Sequence, residues 1–209
     1  MVQAVRVIAG QGRGRRLRVP RGLRVRPTLA RARASLFDIL TSRGLVEGAR
    51  ILDLFAGSGA LGIEALSRGA ESVVFIERDR TAARVLRANV AASGFGERAA
   101  VMVQSSARAL PFLARRGDVF DGAFIDPPYG TLWADRTLRE LGLGELLREG
   151  GWVAVHHRRG EAPASIYATL VAFHQRRIGD AVMVLYRRGG HGQSGFFKVR
   201  NGAIAEKLQ

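Results

Sequence analysis

The stretch Arg50-Ile-Leu-Asp-Leu-Phe-Ala-Gly-Ser-Gly-Ala-Leu-Gly62 reads as a buried strand, a glycine turn and the opening of a helix. Ile51, Leu52 and Leu54 make an apolar run too short for a helix, and Gly57 and Gly59 end it with residues that bend sharply. Such a turn at a strand end is a ligand seat. Gly57, Gly59 and Gly62 fit G-x-G-x-x-G, and Glu77 follows at about the spacing of a ribose-binding carboxylate, a pattern that alone suits a nicotinamide dinucleotide. Asp53 shifts the balance. It sets a carboxylate where a dinucleotide's pyrophosphate would meet the helix N-terminus, and two anions there repel. S-adenosylmethionine lacks phosphate and carries a cationic amine and a sulfonium, which that carboxylate attracts. Asp53 to Gly59 is therefore read as a methyl-donor loop. The rivals are another kind of nucleotide-binding turn and a plain strand-to-helix turn capped by Asp53.

Downstream, strands and helices alternate: strands at 50–53, 72–76, 100–104, 120–125 and 152–156, helices at 60–67, 81–92, 107–115 and 133–147. This implies a parallel sheet with helices on both faces and ligands at the carboxyl ends of the strands, where Asp53, Glu77, Ser106 and Asp126 fall. Two further runs, 170–178 and 181–186, are joined by Gly179-Asp180, a hairpin signal that places an antiparallel pair at one side of the sheet. The expected fold is α/β, a Rossmann-like, seven-stranded, mostly parallel sheet. Three segments are expected: a basic β-hairpin arm and leading helix over 1–45, the α/β domain over 46–188, and a loosely ordered extension over 189–209.

Ile125-Asp126-Pro127-Pro128-Tyr129 follows the fourth strand. Neither proline can donate a ladder hydrogen bond and each fixes its own φ, so the sheet stops there in a rigid loop. A rigid loop with Tyr129 packed on the core is the plain reading. The chemical one starts from the exocyclic amine of a nucleobase, whose lone pair is delocalised into the ring. An Asp126 oxygen and the Pro127 carbonyl could each accept one N–H, turning the amine toward sp³ geometry, while Tyr129 stacks on the base. Catalysis would then be positioning and electrostatics, and Asp126 could take the released proton. The target base would be flipped out or lie in a loop.

The 209 residues carry 33 Lys plus Arg against 18 Asp plus Glu, a net charge of +15, nearly all of it arginine. Arginine pairs with phosphate through parallel hydrogen bonds and displaces counterions, so a polyanionic partner is expected. Ten arginines fall between Arg6 and Arg33, with no acid before Asp38. Strand-like runs at 5–9 and 17–19 around a glycine turn make this a hairpin with Arg13, Arg15 and Arg16 at its tip, and Thr28 is the expected cap of a helix bearing Arg31 and Arg33. The absence of cysteine excludes disulfides, thiolate chemistry and Cys-type zinc sites, and four scattered histidines show no metal spacing. No apolar run of membrane length and no signal-like start are present, so a cytoplasmic protein is expected.

With both motifs placed, the chain resembles the bacterial 16S ribosomal RNA guanine-N2 methyltransferases of the RsmD type. The matching pieces are Arg6-Val-Ile-Ala-Gly10, Arg26-Pro-Thr28 leading to Leu36-Phe37, Leu52 through Arg68, Ile76-Glu77 and Ile125-Asp-Pro-Pro-Tyr129. The resemblance implies a class I S-adenosylmethionine-dependent methyltransferase with an N-terminal hairpin, acting as a monomer on 16S RNA within the 30S subunit or an assembly intermediate. It implies that Asp53, Phe55, Ala56, Gly57 and Gly59 line the methyl donor, Glu77 and Arg78 its ribose side, and Ser106 and Ala107 its adenine. Asp126, Pro127, Pro128 and Tyr129 would hold the guanine, and Arg13, Arg15, Arg16, Arg26, Thr28 and Arg33 the RNA. No metal is expected. Ser106, Ala34 and His156 stand where the family usually has Asp or Asn, Glu, and an acid. An adenine-N6 methyltransferase and a non-catalytic RNA-binding assembly factor on the same scaffold are the alternatives. A nicotinamide oxidoreductase is disfavoured by Asp53.

Overall fold

The computed structural model describes residues 5–20, 27–128, 130–190, 199–200 and 203–204, with 27–29 and the last four by backbone alone. Arg26 and Tyr129, singled out in the sequence, lie outside them.

Val5–Arg6 (β1) and Arg16–Leu17 (β2) pair antiparallel. Pro27–Ser42 forms α1. Arg50–Leu54 (β3), Ser72–Ile76 (β4), Ala99–Met102 (β5), Phe120–Ile125 (β6) and Leu147–Arg158 (β7) follow as parallel neighbours. They alternate with Ala60–Ser67 (α2), Arg80–Ser93 (α3), Ser106–Arg115 (α4) and Trp133–Leu143 (α5). Ile166–Tyr167 (β8), Leu170–Ile178 (β9) and Ala181–Arg188 (β10) complete the sheet in the order β5-β4-β3-β6-β7-β10-β9-β8. Val199–Arg200 and Ala203–Ile204 pair separately.

Four expectations are corrected. The sheet has eight strands rather than seven, because the short β8 pairs with the edge of β9. The antiparallel hairpin expected at one side of the sheet is present, with β10 lying between β7 and β9. The last helix stops at Leu143, capped at Gly144, and β7 starts at Leu147. Thr28 is not a cap: Pro27 takes the first helical position, where its missing N–H costs nothing. Ser106, expected at a strand end, opens α4.

Side-chain alternation along the strands decides which face each site residue sees. Ile51, Phe124, Ala154 and Met183 bury into the core on the face covered by α1 and α2, with Phe37, Phe75 and Trp152. Leu52, Leu54, Ile125 and Val155 bury on the opposite face, against Leu110 and Leu113 of α4 and Leu138 and Leu141 of α5. With a period of two, Asp53, Asp126 and His156 fall on the first face. Gly62 lets α2 close onto that face, since a Cβ there would sit 2.3 Å from the Phe75 ring.

The hairpin is docked rather than free. Val7 and Leu17 share the core with Leu36, Phe37 and Leu40 of α1. Glu64 of α2, fully buried, accepts the N–H groups of Ile8 (2.7 Å) and Ala9 (3.1 Å) and pairs with Arg68 Nε at 2.8 Å. Ser67 Oγ accepts from Gly12 N–H, and Asn89 of α3 both accepts from and donates to the Arg18 backbone. The tip therefore presents a fixed surface.

Candidate active site

The chain leaves β3 to one side for β4 and β5 and to the other for β6 and β7, so a crevice opens at the carboxyl ends of β3 and β6. A hollow of about 860 Å³ lies there. Its floor is Asp53, Phe55, Ala56, Gly57 and Ser58, its far wall Ile125, Asp126, His156 and Met183, and its roof Ala30 to Ala34 of α1 with Arg6, Ile8 and Arg16 of the hairpin.

The glycine turn is built under constraint. Phe55 holds φ at +64°, a left-handed value that costs a non-glycine residue on the order of 1–3 kcal/mol. Gly59, at φ +81°, has no room for a side chain, because a Cβ would meet Leu86 Cδ1 at 2.4 Å. Ala56 N–H donates to the Ile76 carbonyl and Gly57 N–H to Glu77 Oε2, at 3.0 and 2.8 Å. Glu77 Oε1 accepts from Asp79 N–H at 2.8 Å, so this carboxylate braces the turn from the end of β4.

Asp53 is 1% exposed, and its Oδ2 accepts the Gly62 N–H at 2.9 Å in the first turn of α2. The capping alternative is thus present, and Asp53 borders the hollow as well. Burial pushes its carboxyl up to about 8; the Gly62 hydrogen bond works against that, while the charges of Asp126 and Glu77 add to it. A cation entering the hollow would reverse this balance.

Asp126 stands just past β6, and its Oδ1 lies 2.8 Å from His156 Nδ1. Burial opposes the imidazolium, but the hydrogen bond and the charge of Asp126 outweigh it, and the His156 pKa lies above its ordinary value. Pro127 is buried and Pro128 exposed, with the Pro128 carbonyl accepting from Thr131 Oγ1 at 2.7 Å.

The sequence-predicted residues separate into groups. Asp53, Phe55, Ala56, Gly57 and Asp126 border one hollow, and Gly59, Glu77, Arg78, Ser106 and Ala107 do not. Glu77 and Ser106 are partly or largely buried near the ends of β4 and β5, and Arg78 is exposed. Arg13 is exposed at the hairpin tip and Arg16 reaches the rim of the hollow. One arginine requires correction. Arg33, expected to face RNA, is 9% exposed and donates to the Arg6 carbonyl, pinning α1 to the hairpin. Burial holds its pKa below the usual value, with Glu64 opposing. Arg15 stays exposed at the tip while donating to the Ser93 carbonyl and lying over the Phe95 ring, so it also fastens the hairpin to α3. Sequence reasoning missed Glu64 as the buried anchor and His156 as the partner of Asp126. Strand parity carried a signal for the second. Among the described residues no cluster of acids and histidines could hold a metal ion, and no helix is long and apolar enough to cross a membrane.

The family model described as Conserved hypothetical protein 95 matches residues 5–187. Ribosomal RNA small subunit methyltransferase D of Escherichia coli (strain K12) is 34% identical over 196 residues, covering 91% of this chain and 93% of that one. The chain belongs to this RsmD family. The Haemophilus influenzae relative of the same name is 40% identical over 152 residues, 71% of this chain and 73% of its own. The solved structure of yhhF from Escherichia coli has a TM-score of 0.77 at 35% identity, covering 90% of this chain and 99% of that one. A more distant structure complexed with SAH, 14% identical, shares the fold at a TM-score of 0.63, covering 78% of this chain and 50% of that one. This RsmD-family member accordingly has the Rossmann-like class I methyltransferase fold. The hollow would suit S-adenosylmethionine: Asp53 borders it and makes no ion pair among the described residues, and the left-handed Phe55 and Gly57 lay backbone along its floor.

Proposed function

We propose that this RsmD-type ribosomal RNA methyltransferase transfers a methyl group to the exocyclic N2 amine of a guanine in small-subunit RNA. The observation that carries the reading is that Asp53 and Asp126 border the same hollow on the same face of the sheet. S-adenosylmethionine supplies an electrophilic methyl on a positively charged sulfur. In this reading Asp53, Phe55, Ala56 and Gly57 hold the donor, with Glu77, Arg78, Ser106 and Ala107 along its nucleoside. Asp126 and the Pro127 carbonyl accept the two N–H groups of the guanine amine, aiming its lone pair inward, and Tyr129 stacks on the ring. The roof of α1 and hairpin residues over the hollow favours a single extruded base over a duplex. Arg13 and Arg16, with Arg26 and Thr28, track the RNA backbone, and the protein works as a cytoplasmic monomer on the 30S subunit or an assembly intermediate.

The test is to incubate the protein with labelled donor and either naked 16S RNA or 30S subunits lacking the modification, then digest and separate the nucleosides. N2-methylguanosine is expected. N6-methyladenosine would establish the adenine alternative, and unlabelled RNA in both arms would favour the assembly-factor reading.

A further inference from the structure

β6 and β7 run parallel with Ile125 opposite Val155, so the next residue on each strand, Asp126 and His156, stands beside the other. Both side chains border the hollow, 41% and 13% exposed, and Nδ1 lies 2.8 Å from Oδ1. A carboxylate can only accept, so the ring carries its hydrogen on Nδ1. Oδ2 of Asp126 makes no hydrogen bond among the described residues, so the ring engages one oxygen of a carboxylate that lines the hollow and leaves the other as an acceptor.

We propose that His156 is a positioning residue for methyl transfer: its Nδ1–H holds Asp126 Oδ1 so that Oδ2 is presented to the N–H of the substrate amine. This rests on the amino-methylation reading above. In the step served, the amine nitrogen bonds to the methyl carbon, the carbon–sulfur bond breaks with its electron pair left on sulfur, and the surplus N–H proton passes to Asp126 Oδ2. A neutral ring leaves the carboxylate able to take that proton, whereas an imidazolium beside it makes the carboxylate a poorer base. The rate should therefore fall on acidification through the titration of His156. The charged and titratable groups that share the hollow with the pair among the described residues are Asp53 from β3, Arg31 and Arg33 from α1, and Arg6 and Arg16 from the hairpin, and His157 adjoins His156.

The test compares His156→Asn, whose amide restores a donor near the Nδ1 position without titrating, with His156→Phe, which fills the site and cannot donate. His156→Phe should lose about a hundredfold in kcat with KM for donor and RNA changed by no more than about twofold. His156→Asn should recover most of that rate at neutral pH and lose the acid limb of the pH profile. Independently of turnover, the ring proton of His156 followed by NMR in the folded wild type should titrate above about 6.5 and return toward that value in Asp126→Asn. A wild-type kcat in His156→Phe, or a ring titration that Asp126→Asn does not move, overturns the proposal. If wild type yields no N2-methylguanosine the function reading fails instead. The ring titration and the turnover of whichever amine is modified still judge the pair.

Discussion

Replacing Asp53 by Asn removes a titrating group and little else, because the amide oxygen can still accept the Gly62 N–H at the start of α2. The native carboxyl is pushed to about 8 from its ordinary 3.8. Between those values the folded chain keeps a proton that the unfolded chain has released. Stability from this group is therefore complete below about pH 4 and is lost as pH rises toward 8. Each pH unit in that window costs about 1.4 kcal/mol. From about pH 5 to about pH 8 the wild type should thus lose about 4 kcal/mol relative to Asp53→Asn, a large share of the stability of a domain this size. Urea denaturation of both proteins at half-unit pH intervals measures the difference directly. Saturating S-adenosylmethionine should shrink it, since a cation in the hollow favours the ionised carboxylate. Two unfolding curves that stay parallel across the range would refute the claim that Asp53 is held protonated by burial.

Asp126→Ala should abolish methyl transfer while leaving donor affinity, measured by calorimetry, within about threefold; unchanged turnover would remove Asp126 from the chemistry. Arg13→Glu combined with Arg16→Glu should weaken RNA binding and lower the slope of log affinity against log salt by about two, and an unaltered slope would clear the hairpin of phosphate contacts. Glu64→Ala should cost about 3–5 kcal/mol, because it strands Arg68 and leaves two hairpin N–H groups without their acceptor. Hydrogen exchange at Ile8 and Ala9 should accelerate with it. Retained protection there would show that the hairpin is held by its apolar contacts alone.

Much of this protein is local and so readable in one dimension. The apolar run at 51–54 bounded by glycines, the alternation that follows, and the proline stop after Ile125 each depend on neighbours within a few residues. They located β3 to β6, the glycine turn and Asp126 within one or two positions, and β7 only in part. Period-two alternation even assigns Asp53, Asp126 and His156 to one face. What the chain order could not supply is adjacency between elements distant in sequence. That His156 meets Asp126 depends on β7 lying beside β6 in a register that puts Val155 against Ile125. The insertion of β10 between β7 and β9 likewise has no local signature. The arginines show the point most clearly, since a one-signed basic segment reads as uniformly available to phosphate. Folding buried Arg33 against the hairpin, where it donates to the Arg6 carbonyl 27 residues away, and turned Arg15 to the Ser93 carbonyl 78 residues away. Composition sets how much positive charge the protein carries; only tertiary packing decides which of it is left to meet a partner.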